Sequence, residues 1–234
     1  MKVGSLTADK VRGGGNTITS EGKGDATITG DISAASAGKN SIELKGADST
    51  LTSQGSITAD GGTNSITLSD GTISVQSTTK ASISIIAKGG VNAENNFTAK
   101  TINMNLKTLG IEGNHASTNV NAITATEALT MQTESISASS GSWSNVDNKN
   151  VVKGANNSNV TTGSVSGKGG TNEIVLTGAD STFTSNGNIS ANAGTNKILV
   201  EQGTITIGSQ AVSYTHLTLP TIPFECRSRW SPYH

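Results

Sequence analysis

Residues 38–77 read GKNSIELKGADSTLTSQGSITADGGTNSITLSDGTISVQS, and residues 170–209 read GTNEIVLTGADSTFTSNGNISANAGTNKILVEQGTITIGS. The two stretches align without a gap at an offset of 132 residues. They share the segment Ala-Asp-Ser-Thr, which occupies Ala47–Thr50 in the first copy and Ala179–Thr182 in the second. Their isoleucines, glycines and asparagines also coincide, so the chain is built from recurring units.

A shorter repeat lies inside the long one. The pattern Gly-x-Asn-x-Ile recurs with neighbouring copies 24 residues apart, starting at Gly14, Gly38, Gly62, Gly170 and Gly194. Self-similarity at a period of 20–50 residues indicates a stacked architecture, in which no single unit buries its own apolar face. The period therefore predicts a solenoid.

One unit divides into three short strands and three turns. Residues 41–45, 49–53 and 56–59 alternate apolar and polar side chains with period two, and Gly-rich turns separate them. Three strands in about 24 residues predict a three-sided coil whose strands pair in register with those of the next coil. Ile42 should then stack on Ile66, and the predicted inward side chains are Ile42, Leu44, Ile57, Ile66, Leu68, Ile73, Ile174, Leu176, Ile189 and Ile198.

The middle of the chain, residues 78–145, keeps the strand period but loosens the repeat. Apolar pairs at i, i+2 continue to predict strands there: Ile83/Ile85, Ile102/Met104/Leu106, Ile123/Ala125, Leu129/Met131 and Ile136/Ala138. Residues 121–135 also have helical propensity, but their apolar residues fit a 3.6-residue period poorly. We therefore favour strands over a helix in this segment.

Composition limits the function classes. Lys and Arg total 16 against 17 Asp and Glu, so the net charge is −1 and provides no electrostatic footprint for nucleic acid. No apolar run is long enough to span a membrane or to form a signal peptide. Residues 5–9 already resemble residues 56–60. We expect the chain to begin inside the array and to be a fragment, whose unpaired edge strands would fray or associate end to end.

The last residues depart from the repeats. All three prolines, both tyrosines and the single cysteine, Cys226, lie in residues 212–234. The string from Ser213 to Thr221 resembles translated sequencing-adapter read-through at the ends of open reading frames from environmental DNA. We therefore divide the chain into a repeat array, residues 1–211, and a non-native-looking, disordered tail, residues 212–234, that contributes nothing to fold or function.

The recurring asparagines have a structural interpretation. Asn16, Asn40, Asn64, Asn172 and Asn196 should lie above one another at one corner, where their amides would form a hydrogen-bonded ladder. The tolerance of Asn for left-handed backbone conformations would also help to make the turn. We therefore assign these residues to the fold and not to a ligand site.

No residue pattern predicts catalysis, a cofactor or a metal. Residues 22–28 faintly resemble a calcium-binding β-roll repeat, but the pattern occurs once and we interpret it as a polar turn. Glu43, Asp48, Glu173 and Asp180 are matched by the repeat, and we find no Asp, Lys and Arg cluster across neighbouring coils for acid and base work. His115 is interpreted as a turn residue. We accordingly expect a non-enzyme without cofactors.

Three phrases carry a resemblance to a known family: residues 30–34 (GDISA), 55–59 (GSITA) and 187–191 (GNISA). They resemble the repeats of filamentous-haemagglutinin-type adhesins and autotransporter passenger domains, over roughly residues 6–210. The resemblance implies a right-handed parallel β-helix on the outer surface of a Gram-negative bacterium. It also implies a stalk-like or adhesive role towards a host glycan or surface protein.

Two other functions fit a β-helix. One is an enzyme acting on polysaccharide, which should carry long inserted loops around a cleft. The other is a phage tail spike or needle segment, which should be a trimer. The short corners of this chain favour a structural or adhesive module, whose binding site would be a shallow polar strip of Thr, Ser and Asn along one face.

Overall fold

The chain folds as a parallel β-solenoid of about seven turns. The computed structural model describes residues 1–8, 14–35, 38–60, 62–76, 83–89, 92–113, 118–140, 147–192 and 194–208. Within those residues every regular element is a strand, and every strand pairing is parallel. His115 and the tail, residues 212–234, lie outside the described residues.

The strands form three faces, which we name A, B and C in the order the chain visits them from Asn16. Face A consists of β3 (Asn16–Ser20), β6 (Asn40–Leu44), β9 (Thr63–Leu68), the starts of β12 (Asn92–Gly113) and β13 (Thr118–Ser140), β14 (Asp147–Gly154), β16 (Thr171–Leu176) and β19 (Thr195–Val200). Face B consists of β1 (Lys2–Val3), β4 (Asp25–Ile28), β7 (Ser49–Ser53), β10 (Gly71–Val75), the middles of β12 and β13, the start of β15 (Asn159–Lys168), β17 (Ser181–Ser185) and β20 (Gly203–Ile207). Face C consists of β2 (Leu6–Ala8), β5 (Ile32–Ala34), β8 (Ile57–Asp60), β11 (Ser84–Lys88), the ends of β12, β13 and β15, and β18 (Ile189–Asn192).

The core is a column of inward side chains, and the sequence predicted it correctly. Ile42 pairs directly with Ile66, as expected. All ten predicted inward residues are buried, and so are all eleven residues of the i, i+2 pairs in the middle of the chain. The alternating pattern therefore identified the inward face of each strand. The helix that we weighed for residues 121–135 is absent, because this segment lies in β13.

A ladder of eight asparagines runs along the inside of face A. The first seven each donate a hydrogen bond from Nδ2 to the Oδ1 of the next, at 2.7–2.8 Å: Asn16, Asn40, Asn64, Asn95, Asn121, Asn150, Asn172 and finally Asn196. The same seven also donate to a main-chain carbonyl of face C at 2.7–3.1 Å. The predicted ladder is thus confirmed. It contains eight asparagines, whereas the 24-residue spacing of the sequence repeat identified five.

The asparagines do not make the turn, which corrects one expectation. They are the first or second residues of face A strands, or lie within them. Among the described non-glycine residues, positive φ occurs instead at Asp48 (55°), Asn157 (54°) and Asp180 (54°), at the corner between faces A and B. The glycine of the Gly-x-Asn signature serves close packing, because a Cβ at Gly170 would collide with the carbonyl oxygen of Asn148 below it.

Coil length varies along the solenoid. Successive ladder asparagines are 24, 24, 31, 26, 29, 22 and 24 residues apart. The two copies of the long repeat are therefore separated by five unequal coils. The predicted length of about 24 residues holds for the outer coils and fails for the middle ones.

Face B carries a change of register that the repeat conceals. Leu51 and Phe183 occupy the same position of the two copies, yet they belong to different columns. The Leu51 column continues through Ile73, Ile102 and Leu129. The Phe183 column runs through Val160, Met131, Met104, Val75 and Ser53. The second copy of face B is therefore displaced by two residues, about 6.6 Å along the strand.

Candidate binding surface

The outer surface of face B carries a continuous array of uncharged polar side chains, which we call the polar strip. Its central row contains one residue in each of eight successive coils: Thr27, Thr52, Ser74, Asn103, Thr130, Asn159, Thr182 and Thr204. Below Thr27 the same register position is occupied by Lys2, where the uncharged row ends. These residues point outward because the residues on either side of them on each strand point inward. The predicted shallow strip of Thr, Ser and Asn thus has a definite location.

A second row flanks the central row from Thr52 onward, whereas the flanking position beside Thr27 is occupied by Asp25. In the first half it lies on one side and contains Thr50, Thr72 and Thr101. In the second half it lies on the other side and contains Asn105, Gln132, Thr161, Thr184 and Thr206. The two-residue displacement of face B moves the flanking row from one side to the other at Asn103, which has Thr101 on one side and Asn105 on the other. The strip is therefore at least two residues wide from Thr52 to Thr204.

The strip hydroxyls are largely without protein partners. Among the described residues, Thr50 alone of the strip makes a side-chain hydrogen bond, from its Oγ1 to Asp25 Oδ1 at 2.8 Å. The hydroxyl of Thr50 thereby lowers the pKa of the Asp25 carboxyl, with help from the Thr50 main-chain N–H. On face C, by contrast, Ser135 donates to Thr108 across the coils at 3.3 Å. The polar strip therefore presents unused hydrogen-bonding groups.

Charged side chains lie beside the strip or on the other faces. On face A, Glu173 accepts a hydrogen bond from Lys197 at 2.9 Å and has Lys153 at 3.9 Å. The hydrogen bond from Lys197 is the main cause that lowers the pKa of the Glu173 carboxyl. At the corner between faces A and B, Glu21 hydrogen-bonds Lys45 at 2.9 Å and raises the pKa of the lysine. These pairs join successive coils.

The same corner contains a cluster that the sequence analysis missed. Lys100 Nζ lies 3.3 Å from Asp70 and 3.5 Å from Glu127, which belong to the coils below and above it. This finding corrects the expectation that no acidic and basic residues meet across neighbouring coils. The three residues are far apart in sequence and become neighbours only through the unequal coil lengths. The hydrogen bond to Asp70 is the main cause that raises the pKa of Lys100.

The cluster has the geometry of a surface ion-pair network. Its side chains are 40–57% exposed at an outer corner of the solenoid, where water screens the charges. Lys100 lies between the two carboxylates and pairs with both of them. A glycosidase would instead need one carboxyl that keeps its proton. The arrangement therefore fits the joining of coils better than acid and base catalysis.

The other predicted positions have structural surroundings. Asp25, in the segment that resembles a calcium-binding repeat, begins β4 and bonds Thr50 of the next coil. Asp48 and Asp180 form left-handed turns, and Glu43 lies 4.0 Å from Lys45. Within the described ranges, no three His, Cys, Asp or Glu side chains are close enough together to hold a metal ion.

No protein-family model matches the chain, and neither curated proteins nor solved structures give a match. The part of the chain that the structure describes has no helix long and apolar enough to cross a membrane.

Proposed function

We propose that this protein is a rigid, non-catalytic surface module of the adhesin or autotransporter-passenger type, which binds its target through the polar strip. The observation that carries the proposal is the uncharged polar array of face B, whose central row spans eight coils and whose flanking row spans seven. Among its described residues only Thr50 makes a side-chain hydrogen bond. With strands about 4.8 Å apart, this array extends for about 34 Å. Such a surface suits a target that is itself extended and repetitive.

The interior supports the same function, because a stalk must keep its shape. The asparagine ladder and the in-register strands join every coil to both neighbours. Each coil contacts only the coils adjacent to it, so the solenoid can be extended without redesign of a central core. A location on the outer surface of a Gram-negative bacterium is part of the proposal and follows from the resemblance of the repeats.

The binding role can be tested with one pair of variants. The labelled full chain would be applied to bacterial and host cell surfaces and to insoluble polysaccharides. Thr130→Lys places a charge in the central row of the strip, whereas Ser137→Lys places the same charge on the outside of face C. We expect Thr130→Lys to lose retention and Ser137→Lys to keep it. Equal retention of the two variants on a surface that retains the natural chain would contradict the proposal.

A polysaccharide-acting enzyme is the second candidate, and the Asp70, Lys100 and Glu127 cluster is the observation that favours it. The two functions are separated by incubation of the chain with a panel of polysaccharides and measurement of newly formed reducing ends or unsaturated sugars. We expect no cleavage. Cleavage that disappears in Asp70→Asn or Glu127→Gln would establish the enzyme in place of the binding module.

A further inference from the structure

We propose that the polar strip adsorbs to ice, so that its ligand is the ordered water at an ice surface. This inference rests on the proposed function, because it names the target of the same strip. Four properties of the strip carry it: its spacing, its rigidity, its free hydrogen-bonding groups and its lack of charge.

The first property is the two-dimensional regularity of the strip. Along the solenoid axis, neighbouring side chains of one row are separated by the strand spacing of about 4.8 Å. Across the strip, residues at i and i+2, such as Thr182 and Thr184, are about 6.6 Å apart. A surface that binds a crystal must repeat in two directions with the crystal, and the axial repeat is close to that of oxygen atoms on a prism face of hexagonal ice.

The second property is the rigidity of the groups that would contact ice. Eleven of the sixteen strip residues are threonines, whose branched Cβ restricts χ1. The strands beneath them are fixed in register on both sides, and inward neighbours such as Leu51 and Phe183 are fully buried. Little side-chain freedom is therefore lost on binding, which matters when each contact is weak.

The third property is the combination of free hydroxyls with methyl groups. Strip residues other than Thr50 make no side-chain hydrogen bond within the described part of the chain. Each Thr hydroxyl can donate one hydrogen bond and accept two. The adjacent Cγ2 methyl groups favour ordered water between them over bulk water. Together the rows can hold a layer of water with the period of the strip.

The fourth property is neutrality, which separates ice from other repetitive targets. The sixteen strip residues include no Asp, Glu, Lys or Arg, and charge enters the registers of the two rows only at the N-terminal end, at Lys2 and Asp25. Along the strip itself an anionic or cationic polymer therefore has no charge complement. The strip also includes no aromatic ring on which a sugar could stack; among the described residues the aromatic side chains, Phe97 and Phe183, are in the core. A neutral crystalline lattice offers many equivalent contacts, which together can hold the protein although each contact is weak.

The experiment measures partition of the labelled full chain into slowly growing ice, together with inhibition of ice recrystallisation. Two strip variants, Thr130→Lys and Thr182→Lys, place a large charge in the central row at different coils. Ser137→Lys is the matched control on face C. Circular dichroism shows which variants keep the strand signal, and the ice measurements are read from those that do.

We expect the natural chain and Ser137→Lys to enter the ice and to slow recrystallisation, and the two strip variants to be excluded like a non-binding protein. The inference is overturned if the natural chain is excluded from ice, or if Ser137→Lys loses as much adsorption as the strip variants. Retention on an insoluble neutral polysaccharide that Thr130→Lys abolishes, without entry into ice, would overturn the ice inference and leave the proposed function standing. If the natural chain neither enters ice nor is retained on any surface tested, the ice inference and the proposed function both fail.

Discussion

The asparagine ladder makes a quantitative prediction for Asn121, which is fully buried in the middle of the solenoid. Its Oδ1 accepts from Asn95 at 2.8 Å, and its Nδ2 donates to Asn150 Oδ1 and to the Ser137 carbonyl, both at 2.8 Å. Asn121→Ala removes all three hydrogen bonds at once. It leaves one amide donor and two acceptors in the interior without their partner.

The expected loss in the free energy of unfolding follows from the number of buried polar groups that lose their hydrogen-bond partner. A buried polar group without a partner costs about 1–3 kcal/mol, and the total for Asn121→Ala should reach about 3–5 kcal/mol, because few single substitutions cost more. For a chain of this size, 1 kcal/mol lowers the Tm by roughly 2–4 °C, so the expected fall in Tm is roughly 6–20 °C.

Thermal unfolding followed by circular dichroism measures this effect. Asn105→Ala is the matched control. Asn105 lies on the exposed outer surface of face B and makes no side-chain hydrogen bond within the described residues. Its Tm should stay within roughly 2 °C of the unmodified chain, as expected for a surface substitution. If Asn121→Ala melts within that same margin, the ladder contributes no net stability and the reasoning fails.

Three further substitutions test other features of the fold. Asp180→Val should destabilise the chain by roughly 1–2 kcal/mol in urea unfolding, because a branched residue resists the left-handed conformation, whereas Asp180→Gly should be neutral. Gly170→Ala should cost about 1–3 kcal/mol or more by the same measurement, since its Cβ would meet the Asn148 carbonyl, and an unchanged midpoint would show that this contact is not tight. Glu173 has a pKa below its ordinary value of 4.5 because Lys197 hydrogen-bonds it. The ionised carboxylate therefore adds to the free energy of unfolding above pH 4.5, and this stabilisation is lost as the pH falls through the lowered pKa. Glu173→Gln should therefore weaken the dependence of urea unfolding on pH in this acidic range, and identical pH profiles would count against the pairing.

Much of the fold could be predicted because each strand carries its own signal. Alternation of period two identified the inward side chains even in the middle coils, where the repeat is irregular. The asparagine ladder was only partly predictable. Asn95, Asn121 and Asn150 lack the preceding Gly of the signature at the expected distance. Each still stands two residues before an apolar core residue, Phe97, Ile123 or Val152, and this Asn-x-apolar pattern was the remaining signal.

The ion-pair cluster was beyond prediction for a different reason. Asp70, Lys100 and Glu127 meet only if the lengths of the intervening coils are known. Those lengths depend on the residues between the strands, which leave no periodic trace in the sequence. Surface contacts between coils therefore require the register of every coil, whereas core contacts require only the alternation within each strand.

The displacement of face B shows why the register cannot be read from the repeat alone. A slip by one residue would turn every inward side chain outward and is strongly opposed, but a slip by two residues preserves the alternation. In the interior, Phe183 lies in the core column next to the one that contains Leu51, and both side chains are fully buried. On the outside, threonines stand at both alternating positions in each copy, as Thr50 and Thr52 and again as Thr182 and Thr184. The central row therefore remains continuous through the displacement and the flanking row changes sides, whereas a surface with only one polar position per strand would be interrupted.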